Sequence, residues 1–250
     1  MNKQILNTEI QEFINSNLKS DITKLVLKGS PFESVSIQEI AEQIEAKIRC
    51  KKKLPTWFST ENIYFPNKLN IEQTSSEITA KYKANLVAGN SLIDITGGFG
   101  VDVYYFSKKV SNLTHCEINE CLSEIVTYNY TQLKVNNIKS HIGDGLDYLK
   151  NTTKKFDWIY TDPSRRNDTK GKVFLLEDCI PNIPKNLDLL FEKSNNILIK
   201  VSPILDITSA INELEFVKVI HVIAIENEVK ELLFILEKNY IQKIDIKTIN

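Results

Sequence analysis

Carboxylates and glycines follow the short apolar runs in the second half of the chain. The run Ser91–Ile95 contains Asp94, and a turn follows before a helical segment that starts near Asp102; the turn contains Thr96, Gly97, Gly98 and Gly100. Glycines let a backbone approach a ligand closely, and a helix N-terminus offers free N–H groups to an anion. The spacing predicts a ligand site at this turn that binds a group carrying a carboxylate.

Two further acids stand at the ends of the next two apolar runs. Glu117, followed by Ile118, ends the second run, where a carboxylate can accept hydrogen bonds from both hydroxyls of a ribose. Asp144 follows the third run between Gly143 and Gly145, where it can accept from an adenine amino group. Either acid alone could be a helix cap. In this order, and each at a strand end, they indicate a ligand that contains adenosine.

Two adenosine cofactors fit such a pattern. NAD binding requires a third glycine in G-x-G-x-x-G, and the segment Gly98–Val103 lacks it. Asp102 would also repel a pyrophosphate, whereas the zwitterionic, sulfonium-bearing S-adenosylmethionine tolerates nearby carboxylates. We therefore predict S-adenosylmethionine as the cofactor.

The fourth apolar run ends in Asp162-Pro163-Ser164-Arg165. This segment resembles the Asp/Asn-Pro-Pro-aromatic motif of enzymes that methylate exocyclic amines of nucleobases. In that motif an oxygen accepts from the amine and orients its lone pair for in-line transfer. The resemblance implies that role for Asp162, with Pro163 and Arg165 beside it.

The segment departs from that motif at Ser164 and Arg165, which replace a proline and an aromatic residue. An arginine can stack on a base or bind a phosphate, so a nucleic-acid substrate fits. The alternative is that Arg165 and Arg166 form surface ion pairs with Glu177 and Asp178. Enzymes that methylate C5 of pyrimidines use a nucleophilic cysteine shortly after the fifth strand. The corresponding stretch of this chain, 200–204, has no cysteine, which favours direct transfer without a covalent intermediate.

These residues require a sheet that brings the strand ends together. Apolar runs alternate with helical segments from Ser91 onwards: Ser91–Ile95, Leu113–Cys116, Ser140–Ile142, Trp158–Thr161, Ile197–Val201, Phe216–Ala224 and Leu232–Leu236. The alternation predicts an α/β fold with a mostly parallel sheet. The connection between the last two runs is too short for a crossover helix, so they should form an antiparallel hairpin. Seven strands ending in such a hairpin resemble the Rossmann-like sheet of class I methyltransferases.

The first part of the chain has helical spacing instead. We divide it into a small N-terminal helical domain with its connector at 1–73 and the methyltransferase domain at 74–250. Ser36 with Glu39, and Thr74 with Glu77, have the spacing of capping boxes, so helices should start near Ile37 and Ser75. The stretch 51–66, with its prolines and aromatics, should be an irregular connector.

Several motifs together resemble a bacterial group of class I methyltransferases that usually continue into a ferredoxin-like and THUMP-like C-terminal region. They are Leu54–Trp57, Glu72-Gln73, Ser75–Glu77, Thr79-Ala80, Asp94–Asp102, Asp162-Pro163, Arg165-Arg166, Leu176–Cys179, Lys200 and Ser202-Pro203. The resemblance implies cofactor roles for Asp94, Gly98, Gly100, Glu117 and Asp144, and an acceptor-side role for Asp162. THUMP-type regions bind RNA, so it also implies a tRNA or rRNA base as substrate.

That C-terminal region would begin beyond Asn250, so we expect RNA contacts from basic and aromatic residues near one helix end: Lys47, Arg49, Lys51–Lys53, Trp57 and Phe58. The alternative for this patch is a solvated helix end whose lysines complement the helix dipole. Two rival functions stay open. They are methyl transfer to a small molecule or protein, and a binding module that holds S-adenosylmethionine without chemistry.

Bulk properties exclude some classes of protein. The chain has a net charge of −1, 42% hydrophobic and 25% charged residues, which is typical of a folded globular protein. Its four cysteines form no C-x-x-C pair and its three histidines show no metal-ligand spacing, so we expect neither disulfides nor a metal. No signal peptide or membrane-length apolar run occurs, and we expect a cytoplasmic location.

Overall fold

The computed structural model describes residues 1–165 and 175–250. The helices are α1 (Thr8–Ser16), α2 (Ile22–Lys28), α3 (Ile37–Lys53), α4 (Pro55–Ser59), α5 (Lys68–Gln73), α6 (Glu77–Ala84), α7 (Val101–Phe106), α8 (Glu120–Gln132), α9 (Gly145–Asn151), α10 (Leu187–Lys193) and α11 (Ile207–Glu213). The strands are β1 (Ser91–Asp94), β2 (Asn112–Glu117), β3 (Ile138–Ile142), β4 (Trp158–Thr161), β5 (Ser164–Arg165), β6 (Cys179–Ile180), β7 (Asn196–Val201), β8 (Val217–Ile225), β9 (Glu228–Glu237) and β10 (Asp245–Ile249).

The main sheet has the strand order β3-β2-β1-β4-β7-β9-β8-β10. Strands β3, β2, β1, β4 and β7 are parallel to one another, and β9 is antiparallel to both β7 and β8. The chain leaves β1 first towards β2 and β3 and later returns through β4 to the other side. In such sheets the crevice beyond the carboxyl ends of the strands, where the order reverses, is where ligands bind. Here that crevice lies at the ends of β1 and β4.

The α/β fold class is confirmed, including the terminal hairpin. Glu226 and Asn227 connect β8 to β9 with φ values of 54° and 63°. Two successive residues with positive φ are typical of the tight turn that suits the twist of a hairpin. All seven predicted strands are present.

One strand of the main sheet was missed. Strand β10 pairs in parallel with β8, at the edge of the sheet, and all its residues except Ile249 are exposed. The sequence Asp-Ile-Lys-Thr-Ile is short and carries two charges, so it lacks the apolar run by which the other strands were recognised. The prediction of seven strands therefore becomes eight.

The helix starts were predicted with mixed success. Helix α3 begins at Ile37 with a complete capping box between Ser36 and Glu39, as predicted. Helix α6 begins two residues later than predicted, because Ser76 rather than Thr74 caps it. The predicted capping role of Glu77 is wrong.

The carboxylate of Glu77 is buried and serves a different purpose. It accepts hydrogen bonds from the backbone N–H and the hydroxyl of Thr56 and, at 2.6 Å, from the hydroxyl of Tyr105. Glu77 thereby ties α6 to α4 and α7. Its type and position could not reveal this, because the three elements are far apart in sequence.

The predicted irregular connector at 51–66 is wrong in its first half. Helix α3 continues to Lys53, and α4 starts immediately with Pro55 in its first turn. Proline is favoured at that position because its missing N–H would have no partner in the helix anyway. A single non-helical residue, Leu54, therefore separates α3 from α4.

Trp57 of α4 lies in the main hydrophobic core and is 1% exposed. Its ring contacts Phe99 of the glycine-rich turn and Tyr104 of α7, with ring centroids 6.1 and 4.9 Å apart. The residues before the predicted domain boundary therefore share a core with the residues that follow it. Helix α4 therefore packs against the glycine-rich turn through the contact of Trp57 with Phe99.

We expect Trp57→Ala to lower the free energy of unfolding by about 3–5 kcal/mol, because it empties a large buried volume behind the turn. The measurement is urea unfolding followed by circular dichroism. Leu69→Ala is the control, since Leu69 on α5 is 57% exposed and its truncation should cost less than about 0.5 kcal/mol. Equal losses for the two variants would contradict the supporting role.

Candidate functional site

The ends of the two central strands are joined through Thr96. Asp94, at the end of β1, accepts hydrogen bonds from the backbone N–H and the hydroxyl of Thr96 at 2.9 and 3.1 Å. The hydroxyl oxygen of Thr96 accepts in turn from the backbone N–H of Asp162, beyond β4, at 2.7 Å. The predicted cofactor turn and the predicted acceptor residue are therefore directly connected.

The glycine-rich turn is closed on one side and open on the other. A Cβ atom at Gly97 would lie 2.4 Å from the carbonyl oxygen of Cys116, and one at Gly100 would lie 2.2 Å from the hydroxyl oxygen of Tyr130. At Gly98 the nearest atom would be the carbonyl oxygen of Thr96, 4.0 Å away. The turn packs tightly against β2 and α8, and the space beside Gly98 is free for a ligand.

Glu117 lies at the end of β2 and contacts this turn. Its two carboxylate oxygens accept from the backbone N–H groups of Gly98 and Asn119, each at 2.7 Å. Burial raises the pKa of Glu117, and these N–H groups counteract that rise. Each carboxylate oxygen has a second lone pair, so Glu117 can still accept hydrogen bonds from ligand hydroxyls.

Two apolar side chains flank this position. Ile118 follows Glu117 and is 73% exposed, and Ile142 ends β3 and is 54% exposed. Exposed apolar side chains on adjacent strand ends offer faces that a planar ring can cover. Ile118 is among the residues predicted to bind the cofactor, and Ile142 is not.

Asp144 caps helix α9. Its Oδ1 accepts from the backbone N–H groups of Leu146 and Asp147 at 2.7 and 3.1 Å, while its Oδ2 has no partner among the described residues. Gly145 is buried, and a Cβ there would lie 2.4 Å from the carbonyl oxygen of Ile95. Asp144 is therefore both a helix cap and an exposed acceptor beside the end of β1.

Asp102 points into the protein interior. It forms an ion pair with Lys83 at 3.0 Å and accepts from the hydroxyls of Ser75 and Tyr160, each at 2.8 Å. Burial opposes ionisation of Asp102, but Lys83 and Lys200 lower its pKa below the ordinary value. The carboxylate of Asp102 is thus bound by Lys83, Ser75 and Tyr160 in the protein interior. A cofactor contact by Asp102 stays a prediction.

Lys83 on α6 is the centre of a buried ion network that the sequence analysis missed. Its ammonium group is fully buried and lies 3.0 Å from both carboxylate oxygens of Glu231 on β9, and 2.7 Å from the hydroxyl of Ser75. Two carboxylates therefore share one lysine. A signal was present, because Glu231 directly precedes the buried apolar run of β9.

Lys200 was also missed as a site residue. Its ammonium group binds Oδ2 of Asp162, and their side chains are 13% and 34% exposed. Burial by itself would lower the pKa of Lys200, but the carboxylates of Asp162, Glu231 and Asp102 raise it above its ordinary value. The available signal was a lysine inside the buried run Asn196–Val201.

The segment after Asp162 forms a second, small sheet. Pro163 is buried, and β5 pairs antiparallel with β6, so that Arg165 lies opposite Cys179. The side chain of Arg165 and the whole of Arg166 lie outside the described residues. Both predicted uses of these arginines therefore stay predictions.

The predicted basic patch is wrong for Trp57 and Lys47. Trp57 is in the core, and Lys47 is buried with its ammonium group 2.7 Å from Oδ1 of Asn15. Arg49 pairs with Glu72 at 3.1 Å. Trp57 and Lys47 are thus used by the protein itself, whereas the ion pair of Arg49 lies on the surface.

The remaining lysines of this patch lie at the end of α3. Lys53 donates to the carbonyl oxygens of Ile71 and Glu72, at 2.9 and 2.7 Å. Lys51 and Lys52 are exposed. Of the predicted RNA contacts, Arg49, Lys51 and Lys52 are exposed and Phe58 is half-buried.

Three further observations concern the described part of the chain. It contains no group of three or more metal-ligating side chains. Its four cysteines form no disulfide with one another. None of its helices is long and apolar enough to cross a membrane.

Asp94 gives a testable pH dependence. Burial raises its pKa from 3.8 to about 7. The folded protein therefore keeps this proton up to about pH 7, while the unfolded chain releases it near pH 4, so stability falls as pH rises through this window. The loss reaches on the order of 4 kcal/mol above pH 7. We expect Asp94→Asn to remove it, as measured by urea unfolding at pH 5 and pH 8.

His115 on β2 is a second buried titratable group, and its effect on stability changes with pH in the opposite direction to that of Asp94. Burial lowers its pKa from 6.5 to about 4, so its contribution is present above pH 6.5 and is lost as pH falls towards 4. Relative to wild type, His115→Phe should gain stability at pH 5 compared with pH 8, and Asp94→Asn should do the reverse. A change of the same sign in both variants would contradict these assignments.

The comparisons with known proteins support the fold. No protein-family profile and no curated protein matches the chain. A solved structure named "putative methyltransferase", from Porphyromonas gingivalis W83, is 30% identical with a TM-score of 0.81 and covers 95% of this chain. The chain spans 58% of the length of that protein.

Two other solved structures are more distant. One is an rRNA methylase from Streptococcus thermophilus, which is 11% identical with a TM-score of 0.47 and covers 66% of this chain and 98% of its own. The other is M. capricolum TrmK in complex with S-adenosyl-homocysteine, which is 16% identical with a TM-score of 0.45 and covers 69% of this chain and 70% of its own. Both likenesses are too weak to bear on the chemistry. The structure from Porphyromonas gingivalis, together with the strand order, shows that this chain has the Rossmann-like fold of a methyltransferase.

Proposed function

We propose that the chain is an S-adenosylmethionine-dependent methyltransferase that methylates an amine of an RNA base. The observation that carries this proposal is the link from Asp94 through Thr96 to Asp162. It sets a half-exposed carboxylate at the end of β4 next to the glycine-rich turn at the end of β1. A methyl donor held at the turn and an amine held by Asp162 would therefore be neighbours.

The residues at the strand ends fit S-adenosylmethionine. The open space beside Gly98 suits the methionine part, and Glu117 has free lone pairs for the ribose hydroxyls. The free Oδ2 of Asp144 suits the adenine amino group, and Ile118 and Ile142 offer apolar faces for the ring.

The remaining predicted residues shape this site. Gly97, Gly100 and Gly145 permit the close contacts of the turn and of α9. Asp102 supports the first turn of α7 from the interior, through Lys83 and Tyr160.

The chemistry follows from the position of Asp162. When bound, the cofactor supplies an electrophilic methyl group on a sulfonium, which becomes a neutral thioether on transfer. Asp162 accepts a hydrogen bond from the acceptor amine, so the nitrogen lone pair is aimed at the methyl carbon. Once the new C–N bond has formed, the nitrogen carries one proton too many, and the carboxylate of Asp162 or water receives it.

An RNA acceptor is supported by three features. The motifs of this chain resemble a family that carries RNA-binding regions, Lys51 and Lys52 are exposed at the end of α3, and Arg165 follows the acceptor residue. Basic side chains position phosphates and planar guanidinium groups stack on bases. A small molecule or a protein as acceptor would need none of these cations.

The cofactor assignment is tested by calorimetric titration with S-adenosylmethionine. We expect Glu117→Ala to weaken binding at least tenfold, since hydrogen bonds to a charged group are worth about 1.5–3 kcal/mol. The control is Glu120→Ala, which removes an exposed carboxylate at the start of α8 and should leave affinity unchanged. Absence of binding by the wild type would refute the cofactor.

The acceptor assignment is tested with tritiated S-adenosylmethionine and in vitro transcripts of tRNA and rRNA. Asp162→Asn should lower the transfer rate by about 100-fold or more, because general acid–base and positioning effects have this size. Its cofactor affinity should stay within about threefold of wild type. Label that enters a bacterial protein lysate or a small-molecule extract, and no RNA, would favour the rival acceptor.

Different results are expected if the chain is a binding module that holds S-adenosylmethionine without catalysing methyl transfer. The wild type would then bind S-adenosylmethionine, and no acceptor of any class would receive label. Asp162→Asn would in that case leave every measured property except stability unchanged.

A further inference from the structure

Asp162 is held by two hydrogen bonds, one to its backbone and one to its side chain, and the proposed function gives no role to the second. Its backbone N–H donates to the hydroxyl oxygen of Thr96, and its Oδ2 accepts from the ammonium group of Lys200. The terminal torsion of a carboxylate side chain is broad, so the backbone bond alone does not fix its orientation. With Oδ2 bound by Lys200, the orientation is set and Oδ1 is left for another donor.

Lys200 is suited to fix this orientation because it stands on a rigid element. It lies on β7, which pairs with β4 on one side and with β9 on the other, and its direct partner on β9 is Leu233. The lysine side chain is 13% exposed, so its methylene groups are confined by neighbouring side chains. Side chains on central strands hold a geometry more accurately than side chains on loops.

The charges around Lys200 explain why the partner must be a cation. Lys83 already forms ion pairs with Asp102 and Glu231. Asp162 adds a third carboxylate close to these two, and Lys200 supplies the cation that compensates it. A neutral residue at position 200 would remove the cation that binds Asp162, since Lys83 is already paired with Asp102 and Glu231.

We infer that Lys200 is the positioning residue of the acceptor site, which holds one oxygen of Asp162 so that the other faces the acceptor amine. This inference rests on the proposed function, because it assigns Lys200 a role in presenting Asp162 to a substrate. Lys200 acts through Asp162 and makes no contact with the acceptor itself. A lysine in this place selects an acceptor that donates a hydrogen bond, such as an uncharged amine.

The first arm of the test needs no acceptor. In ¹H–¹⁵N spectra of lysine ammonium groups, a buried and hydrogen-bonded group exchanges slowly with water and gives a resolved signal. We expect one such signal to disappear in Lys200→Arg, which assigns it, and to broaden or shift in Asp162→Asn. A Lys200 signal that is identical in wild type and Asp162→Asn would overturn the inference, whatever the protein methylates.

The second arm measures transfer to tRNA and rRNA transcripts. We expect Lys200→Met to lower kcat by about 100-fold, the size expected for a misplaced reacting group, with KM for S-adenosylmethionine within threefold of wild type. Lys200→Arg should recover at least a tenth of the wild-type kcat, because it keeps the cation. The control Lys218→Met removes the exposed ion pair with Glu237 on the same sheet and should leave kcat unchanged.

A double-variant cycle separates positioning from a general structural role. If Lys200 acts through Asp162, adding Lys200→Met to Asp162→Asn should change kcat by less than threefold. Losses that multiply in the double variant would overturn the inference, as would a kcat of Lys200→Met within threefold of wild type.

The outcomes distinguish this inference from the proposed function. A wild type that binds S-adenosylmethionine but labels no RNA refutes the RNA acceptor, and the spectroscopic arm then decides whether Lys200 holds Asp162. A wild type that labels RNA, with multiplicative losses in the cycle, refutes the inference and leaves the function standing.

Discussion

The hydroxyl group of Thr96 is the interaction on which the geometry of this site depends. It donates to Asp94 and accepts from the backbone of Asp162, so both of its hydrogen-bonding capacities are used between the two central strands. A side chain without a hydroxyl could make neither bond, and valine, which has the same shape, would leave a buried carboxylate with one donor fewer. The hydroxyl of Thr96 therefore links the glycine-rich turn to the acceptor residue, next to the backbone hydrogen bond from Ile95 to Tyr160 that joins the same two strands.

A second constraint lies beneath this link. Lys83 joins α6, α7 and β9 through Asp102 and Glu231, with no exposure of its own. Removal of one partner from such a network leaves an uncompensated buried charge, which costs several kcal/mol, so the network strongly disfavours other arrangements of these elements. The helix that begins after the turn is thus fixed from inside, while the turn itself stays open at Gly98.

The sequence predicted those features that depend on local spacing. The seven apolar runs, the hairpin and the order of Asp94, Glu117, Asp144 and Asp162 at the strand ends could all be found, because parallel strands place their carboxyl ends at one edge. Partners that are distant in sequence could not. No local pattern shows that Lys200 reaches Asp162, since this depends on the adjacency of β4 and β7 and on the direction of one side chain.

The same limit explains the errors. Glu77 has the spacing of a capping residue, yet its carboxylate is bonded to Thr56 and Tyr105, because burial made tertiary donors available. Trp57 and Lys47 looked like an RNA-binding pair because composition alone cannot distinguish an exposed face of α3 and α4 from a packed one. The positions of residues at strand ends follow from topology, whereas the environment of residues on helices depends on packing that the sequence does not show.

The edge strand β10 has a consequence for solubility. The strand next to it, β8, is nine residues long and rich in Val and Ile, and without a neighbour it would present a row of unpaired backbone groups to other molecules. Such edges favour aggregation, and short edge strands with charged side chains suppress it. Strand β10 is short and carries the exposed charges of Asp245 and Lys247. It therefore covers the long apolar edge of β8 with an edge strand that disfavours pairing with strands of other molecules.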